Sequence, residues 1–206
     1  MARPREFDMD QALDAALNTF WTQGYEATSM TDLMEATGLH KGSLYKAFED
    51  KHDIFMKSLT RYLEGAWAMS KATLTGAKTP LDGLRAWLQG AAQLCSEQPI
   101  QRGCMAMNTA IELGPHDGEV ARLLQSHHAR VSRLLTETIQ RGQHQGQLRS
   151  DLTADQLAKS LFIFTAGLVG TSKILGDTID FDEMVAAHIQ CISPLEGRTR
   201  RGGAHG

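Results

Sequence analysis

The residue best suited to covalent chemistry is Cys104, which follows Gly103 where a short helix is predicted to begin. Exposed backbone N–H groups and the helix dipole at such a position favour the thiolate, the reactive form of cysteine. The pKa of this thiol is therefore expected below the free value of about 8.5. The alternative interpretation is a buried cysteine that only fills space in the core.

An enzyme that uses this thiol would need a base beside it, and no histidine can be placed there from the sequence. The chain contains no glycine-rich phosphate loop, no nucleophile elbow, and no HExxH or CxxC pattern. His127 and His128 are adjacent and point in different directions on a helix, which argues against a shared metal site. We therefore expect no enzyme, no cofactor and no metal.

A second stretch suits the recognition of DNA, because it brings basic and hydroxyl side chains together. Lysines offer charge to phosphates and guanine edges, hydroxyl groups offer hydrogen bonds, and a glycine lets a helix approach a groove wall closely. A further lysine follows at the expected start of another helix, where a phosphate could also bind. The candidate residues are Lys41, Gly42, Ser43, Tyr45 and Lys46, followed by Lys51.

Two short helices that meet at Gly38 must position these side chains. Ser29 and Asp32 have the spacing of a capping box, which starts the first helix. Gly38 can adopt the left-handed conformation that ends this helix and turns the chain within three or four residues. In the second helix, Leu44 and Phe48 lie four apart and can face the core together. The pattern predicts a helix-turn-helix, although ordinary core packing can also use two short capped helices.

Apolar residues at helical spacing predict further helices on both sides of this motif, and no strand pattern is present, so the expected fold class is all-α. Proline and glycine residues are expected to separate these helices, and Pro80 and Gln98-Pro99 bound one of them. The predicted helices cover residues 8–24, 50–74, 80–98, 104–113, 117–142, 151–175 and 181–192.

The helix predicted for residues 151–175 has an uncharged run from Ser160 to Ser172, so we expect it to be buried on more than one side. Its 13 residues fall short of the roughly 20 that a bilayer span requires, which argues against a membrane segment. Ala166, Gly167 and Gly170 would allow close helix approach. This helix and the last one are therefore the expected interface of a homodimer.

Residues 12–59 resemble the DNA-binding domain of the TetR family of bacterial transcriptional repressors. The resemblance is strong over the first quarter of the chain, and the remainder is similar only as a pattern of helices. One departure is His40, where the family often carries a small hydroxyl residue. The resemblance implies a cytoplasmic, dimeric repressor that binds double-stranded operator DNA. The implied DNA contacts come from Thr28, Ser29, Lys41, Gly42, Ser43, Tyr45, Lys46 and Lys51. The matching features are Gly24-Tyr25, Ala27 to Ser29, Ala36 and Gly38, Lys41 to Tyr45, Phe48 and Lys51.

The stretch Gly103-Cys104-Met105, followed by Asn108 and Glu112, resembles the electrophile-sensing NemR-like branch of that family, and Lys173 also matches a lysine of this branch. The resemblance implies that Cys104 senses oxidants or electrophiles, and a nearby Lys173 would lower its pKa further. A regulator that responds only to a small-molecule ligand, with a structural Cys104, is the alternative. An effector pocket between the long helices could use Trp67, Trp87, Met105, Met107 and Phe162, or these residues could be core.

Composition gives no independent support for nucleic-acid binding. The 206 residues carry a formal net charge of −3, and residues 1–62 hold 7 Lys and Arg against 10 Asp and Glu. Support must come from placement, including Arg3 and Arg5, which could reach a minor groove. Three cysteines without a secretory signal indicate a reducing cytoplasm. We predict a DNA-binding domain at residues 1–48, an effector and dimerisation domain at 49–195, and a flexible tail at 196–206.

Overall fold

The computed structural model describes the backbone of residues 4–96, 102–175 and 178–194. Arg3, the Arg5 side chain, the predicted helix end at Gln98-Pro99 and the tail at 196–206 lie outside this description. Within it the chain forms nine helices and no strand, which confirms the all-α fold class. The helices are α1 Pro4–Gln23, α2 Met30–Thr37, α3 Lys41–Ala47, α4 Lys51–Gly76, α5 Pro80–Ser96, α6 Met105–Glu112, α7 Gly118–His144, α8 Ala154–Leu175 and α9 Phe181–Ile192.

Local capping signals set most of these boundaries. Both hydrogen bonds of the Ser29–Asp32 capping box are present at the start of α2, and the Asp50 and Asp117 side chains cap α4 and α7. The expected start of α1 at residue 8 is wrong, because the helix begins at Pro4. A proline suits the first turn, since its missing N–H would have no helical partner there.

The first hydrophobic core lies where α1, α2 and α3 pack around the amino-terminal half of α4. Leu44 and Phe48 face this core as predicted. Its buried residues continue through Phe55 of α4 to Met105 of α6 and Val120 of α7. The domain boundary after residue 48 stays a prediction, because these apolar contacts run across it without a break.

The second core is formed by α5, α7, α8 and α9 together with the end of α4. An apolar stripe in the carboxyl-terminal half of α7 faces it, with Leu135 and Ile139 fully buried. Leu88 of α5 and Leu161 of α8 meet the stripe from the other side. The second core and the helix-turn-helix are therefore connected through α4, α6 and the start of α7.

Helix α8 differs from its prediction, because only one of its faces is buried within the chain. That face packs on α5 and α7, whereas Ile163 and Ile174 are 70% and 84% exposed. Gly167 and Gly170 lie exposed between them. By length and composition α8 could cross a membrane, with a mean hydropathy of 1.2 and a third of its most apolar stretch buried. Core helices of globular proteins meet the same criteria.

The Gly38 turn can be tested by substitution. Gly38 has a φ of +68°, and no atom lies within 4 Å of the position that a Cβ would occupy. Gly38→Ala should therefore destabilise the protein by about 1 kcal/mol through backbone conformation alone. Gly65→Ala is the matched control, since Gly65 lies inside α4 with equally open surroundings and should gain about 0.5 to 1 kcal/mol. Urea unfolding at fixed protein concentration measures both, and effects of the same sign would contradict this account.

Candidate functional site

The outer surface of α3 carries the residues predicted to contact DNA. Leu44 and Phe48 anchor the helix and its end in the core, so the remaining side chains cannot turn inward. Tyr45 is a large aromatic residue that is nevertheless 47% exposed. The exposed residues of this surface are Lys41, Gly42, Ser43, Tyr45 and Lys46.

Thr28 and Ser29 have different surroundings, although they are adjacent. The Ser29 hydroxyl is exposed and accepts the Asp32 N–H at 3.2 Å, and hydrogen bonds from the hydroxyl and backbone N–H of Ser29 lower the pKa of Asp32. The Thr28 side chain is buried, with only 1% of its surface exposed, so a DNA contact from this residue stays a prediction. Its hydroxyl donates to the carbonyl oxygen of Gly24 at 2.6 Å. Thr28 thus stabilises the turn between α1 and α2.

Lys51 lies in the first turn of α4, where Asp50 caps the helix by accepting the Asp53 N–H at 2.8 Å. The Lys51 ammonium lies 4.3 Å from the centre of the Tyr25 ring, a distance typical of a cation–π contact. Burial raises the pKa of Tyr25, with a smaller contribution from Glu26. The aromatic ring therefore fixes the position of Lys51 beside the helix-turn-helix.

Glu112, at the end of α6, forms the most direct polar link between the two domains. Its carboxylate accepts the N–H groups of Tyr25 at 3.1 Å and Glu26 at 2.8 Å, in the turn that leads into α2. Nearby, the Trp21 indole N–H of α1 donates to the Gly103 carbonyl at 2.9 Å. Both ends of α6 are thus bonded to the carboxyl-terminal end of α1 or the turn after it.

Cys104 precedes α6 as its N-cap residue, and its side chain makes no capping hydrogen bond. It is half-buried and packs against the second core. The Tyr62 hydroxyl donates to Cys104 Sγ at 3.5 Å and accepts the Met105 N–H at 3.3 Å. Burial, with Cys104 as a further cause, strongly raises the pKa of Tyr62. This hydroxyl therefore stays protonated, which makes it a hydrogen-bond donor to sulfur and a poor general base.

Lys173, from the last turn of α8, lies beside the residue that precedes Cys104. A Cβ placed on Gly103 would be 3.0 Å from Lys173 Cε. The ammonium donates to the side-chain oxygen of Asn108 at 2.7 Å, and the Asn108 amide donates to the Arg102 carbonyl at 2.9 Å. The structure therefore brings together Asn108, from the predicted stretch around Cys104, and Lys173, from a helix about 65 residues further along the chain.

The other predicted effector residues lie elsewhere. Trp67 packs against the second core under the Arg130 guanidinium, and the Trp87 indole donates to Ser70 at 3.2 Å. Phe162 contacts the His128 ring edge to face, and Met107 is half-buried on α6. Their role in an effector pocket stays a prediction. In the described part of the chain, no three His, Cys, Asp or Glu side chains are grouped as metal ligands.

Comparison with known proteins agrees with this architecture. The family model of bacterial regulatory proteins of the tetR family matches residues 12–56, and that of the tetracyclin repressor-like C-terminal domain matches residues 80–188. This chain belongs to the TetR family. It is 34% identical over 167 residues to the HTH-type transcriptional repressor ComR of Escherichia coli, covering 81% of this chain and 80% of ComR.

Two solved structures show the same fold. The TetR family transcriptional regulator CifR, a cysteine mutant in complex with 26-bp double-stranded operator DNA, superposes with a TM-score of 0.78 at 28% identity, covering 93% of this chain and 100% of CifR. The reduced form of E. coli NemR superposes with a TM-score of 0.80, covering 91% of this chain and 97% of NemR. NemR is only 17% identical, so this likeness shows the fold alone.

Sequence reasoning missed the roles of Tyr62 and Glu112. The sequence pattern gives Tyr62 no role of its own, and Glu112 enters only through the family resemblance. Their partners lie 42 and 87 residues away in the sequence, so no local pattern could identify them.

The Glu112 link predicts a measurable effect on the turn. Glu112→Ala leaves the Tyr25 and Glu26 N–H groups to water, so the protein should lose about 1 to 2 kcal/mol of stability. Amide hydrogen exchange in residues 25–26 should become faster. Glu137→Ala, at an exposed position of α7, is the control and should change neither quantity. Unaltered exchange in Glu112→Ala would show that the carboxylate does not protect the turn.

Proposed function

We propose that this TetR-family DNA-binding repressor works as a cytoplasmic homodimer that leaves its operator when Cys104 is modified by an electrophile or oxidant. The observation that carries the DNA-binding part is the surface of α3. Its apolar side is locked into the core, and its lysines, hydroxyl groups and Gly42 are all exposed. Such a helix suits a major groove, with lysines on phosphates or guanine edges and hydroxyl groups beside base edges.

The exposed face of α8 supports a dimer. Ile163, Gly167, Gly170 and Ile174 recur at helical spacing, and an apolar face of this kind is normally covered in a stable protein. A second copy of the chain could pack on this face, with α9 beside it. Such a dimer would hold its two α3 helices at a fixed distance from each other. A twofold dimer reads two half-sites about 34 to 36 Å apart, so a change in the spacing of the α3 helices releases DNA.

The operator contacts can be tested at Lys51. Lys51→Ala should weaken operator binding about equally for all sequences and lower the salt dependence of binding by about one counterion, because a phosphate contact carries no sequence information. Fluorescence anisotropy over a series of salt concentrations measures this slope. Lys71→Ala is the control, since Lys71 is an exposed lysine 20 residues further along α4 and should leave the slope unchanged. A wild-type slope for Lys51→Ala would remove Lys51 from the contact surface.

The switch rests on the position of Cys104 at the start of α6. The Tyr62 hydroxyl donates to Sγ, and the cysteine packs against the second core. An adduct on sulfur adds volume inside a packed cluster, so α6 must shift to accommodate it. Since Glu112 at the other end of α6 is bonded to Tyr25 and Glu26, this shift moves the turn that leads into the helix-turn-helix.

Cysteine labelling tests the switch. With N-ethylmaleimide, Cys104 should label faster than Cys191, and the labelled protein should release its operator. Cys104→Ser should bind the operator like the unmodified protein and remain bound during treatment, whereas Cys191→Ser should still respond. Mass spectrometry and anisotropy give both quantities. Release by treated Cys104→Ser, or equal labelling rates, would replace the covalent switch with a regulator that responds only to a ligand.

A further inference from the structure

A cleft of about 340 Å³ lies at the junction of the two domains. One wall is the end of α1 with the turn after it, and the opposite walls are α6 and the end of α8. Trp21, Met105 and Lys173 line it from these three elements. Its volume falls within the range of about 300 to 1,000 Å³ typical of small-molecule sites.

Two cations border this cleft, and each has only neutral partners. Arg102 donates to the side-chain oxygen of Asn18 at 3.0 Å and lies 4.3 Å from the centre of the Trp21 ring. Lys173 donates to Asn108 at 2.7 Å. Among the residues that the structure describes, no carboxylate lies within 4.0 Å of either cation. Their charges remain available to a bound anion.

Among the described residues that line the cleft, Glu112 is the acidic one, and it does not cancel this preference. Both carboxylate oxygens of Glu112 accept backbone N–H groups, from Tyr25 and Glu26. Lys173 and Arg102 lie instead around Gly103, at the other end of α6. At one end of the cleft, the Glu112 carboxylate is therefore hydrogen-bonded to the backbone. At the other end, Arg102 and Lys173 have no anionic partner among the described residues.

An apolar surface adjoins the basic end. The Trp21 ring packs edge to face against Tyr62, with ring centres 5.0 Å apart, and its indole N–H is held by the Gly103 carbonyl. Phe20 and Phe55 also line the cleft, as does Ile111, which is exposed to solvent. A planar apolar group could thus lie against fixed aromatic rings while an acidic group reaches the two cations.

We propose that this cleft is a reversible binding site for a small organic anion, with a carboxylate between Arg102 and Lys173 and a planar apolar body against Trp21. Binding there needs no reaction at Cys104, so it goes beyond the covalent switch and can be tested without operator DNA.

Benzoate is a suitable probe, and benzamide is its neutral counterpart of the same shape. The Trp21 indole N–H gives a reporter inside the cleft, and Trp21→Phe assigns its NMR signal among those of Trp67 and Trp87. Titration of the full-length Cys104→Ser protein with benzoate should shift the Trp21 signal saturably and leave the other two in place. Benzamide should bind at least about tenfold more weakly, because it lacks the charge.

Variants of the cations separate this site from general surface binding. Lys173→Met and Arg102→Gln should each weaken benzoate binding about tenfold, and Lys173→Arg should restore most of it. Lys159→Met removes the same charge elsewhere on α8 and should bind benzoate like the parent protein. Equal binding of benzamide, a response of Trp67 or Trp87 in place of Trp21, or unchanged affinity in Lys173→Met would each overturn the proposal. None of these results depends on whether Cys104 is a sensor.

Discussion

The carboxylate of Glu112 holds the turn from which the helix-turn-helix begins. This turn has little freedom of its own, because Gly24 has a φ of +87° and a Cβ there would lie 3.1 Å from both Glu112 oxygens. Only glycine combines that backbone conformation with so close a carboxylate. Thr28 then closes the turn from the inside by donating to the Gly24 carbonyl. The orientation of α2 and α3 therefore depends on a side chain from α6, outside the helix-turn-helix.

A second link lies directly after the helix-turn-helix, at the start of α4. His52, in the first turn of α4, lies 2.7 Å from the Asp117 carboxylate, which also caps α7 by accepting the N–H groups of Glu119 and Val120. Hydrogen bonding from the Val120 N–H is the largest cause of the lowered pKa of Asp117, and His52 adds to it. Asp117 thus stays ionised at neutral pH. The turn before α2 is thus bonded to the end of α6, and the start of α4 is bonded to the start of α7. A movement of α6 relative to α7 would therefore tilt the helix-turn-helix.

Local signals could predict much of this architecture, and long-range contacts could not. The Ser29 capping box, the Gly38 turn and the paired Leu44 and Phe48 each depend on residues within four positions, so the sequence alone indicates them. Thr28 shows the limit, because a hydroxyl residue between a turn and a helix has the same pattern whether its side chain points inward or outward. Glu112 and Tyr62 make their hydrogen bonds and ring contacts with residues far away in the sequence, which no periodicity encodes.

Two sets of contacts connect Cys104 to the turn before the helix-turn-helix, and the first runs along α6. Helix α6 has eight residues, so its length is only about 12 Å, and a displacement at its start reaches Glu112 within two turns. A second route is shorter still. Tyr62, whose hydroxyl donates to Cys104, packs against Trp21, and Trp21 lies three residues before Gly24 on α1. A group added to the sulfur must therefore push on α6 or on the Tyr62–Trp21 pair, and both lead to the turn before α2. Because the cleft proposed to bind an anion shares Trp21 and the Gly103 segment with this route, a molecule bound there would also change how easily that pair can move.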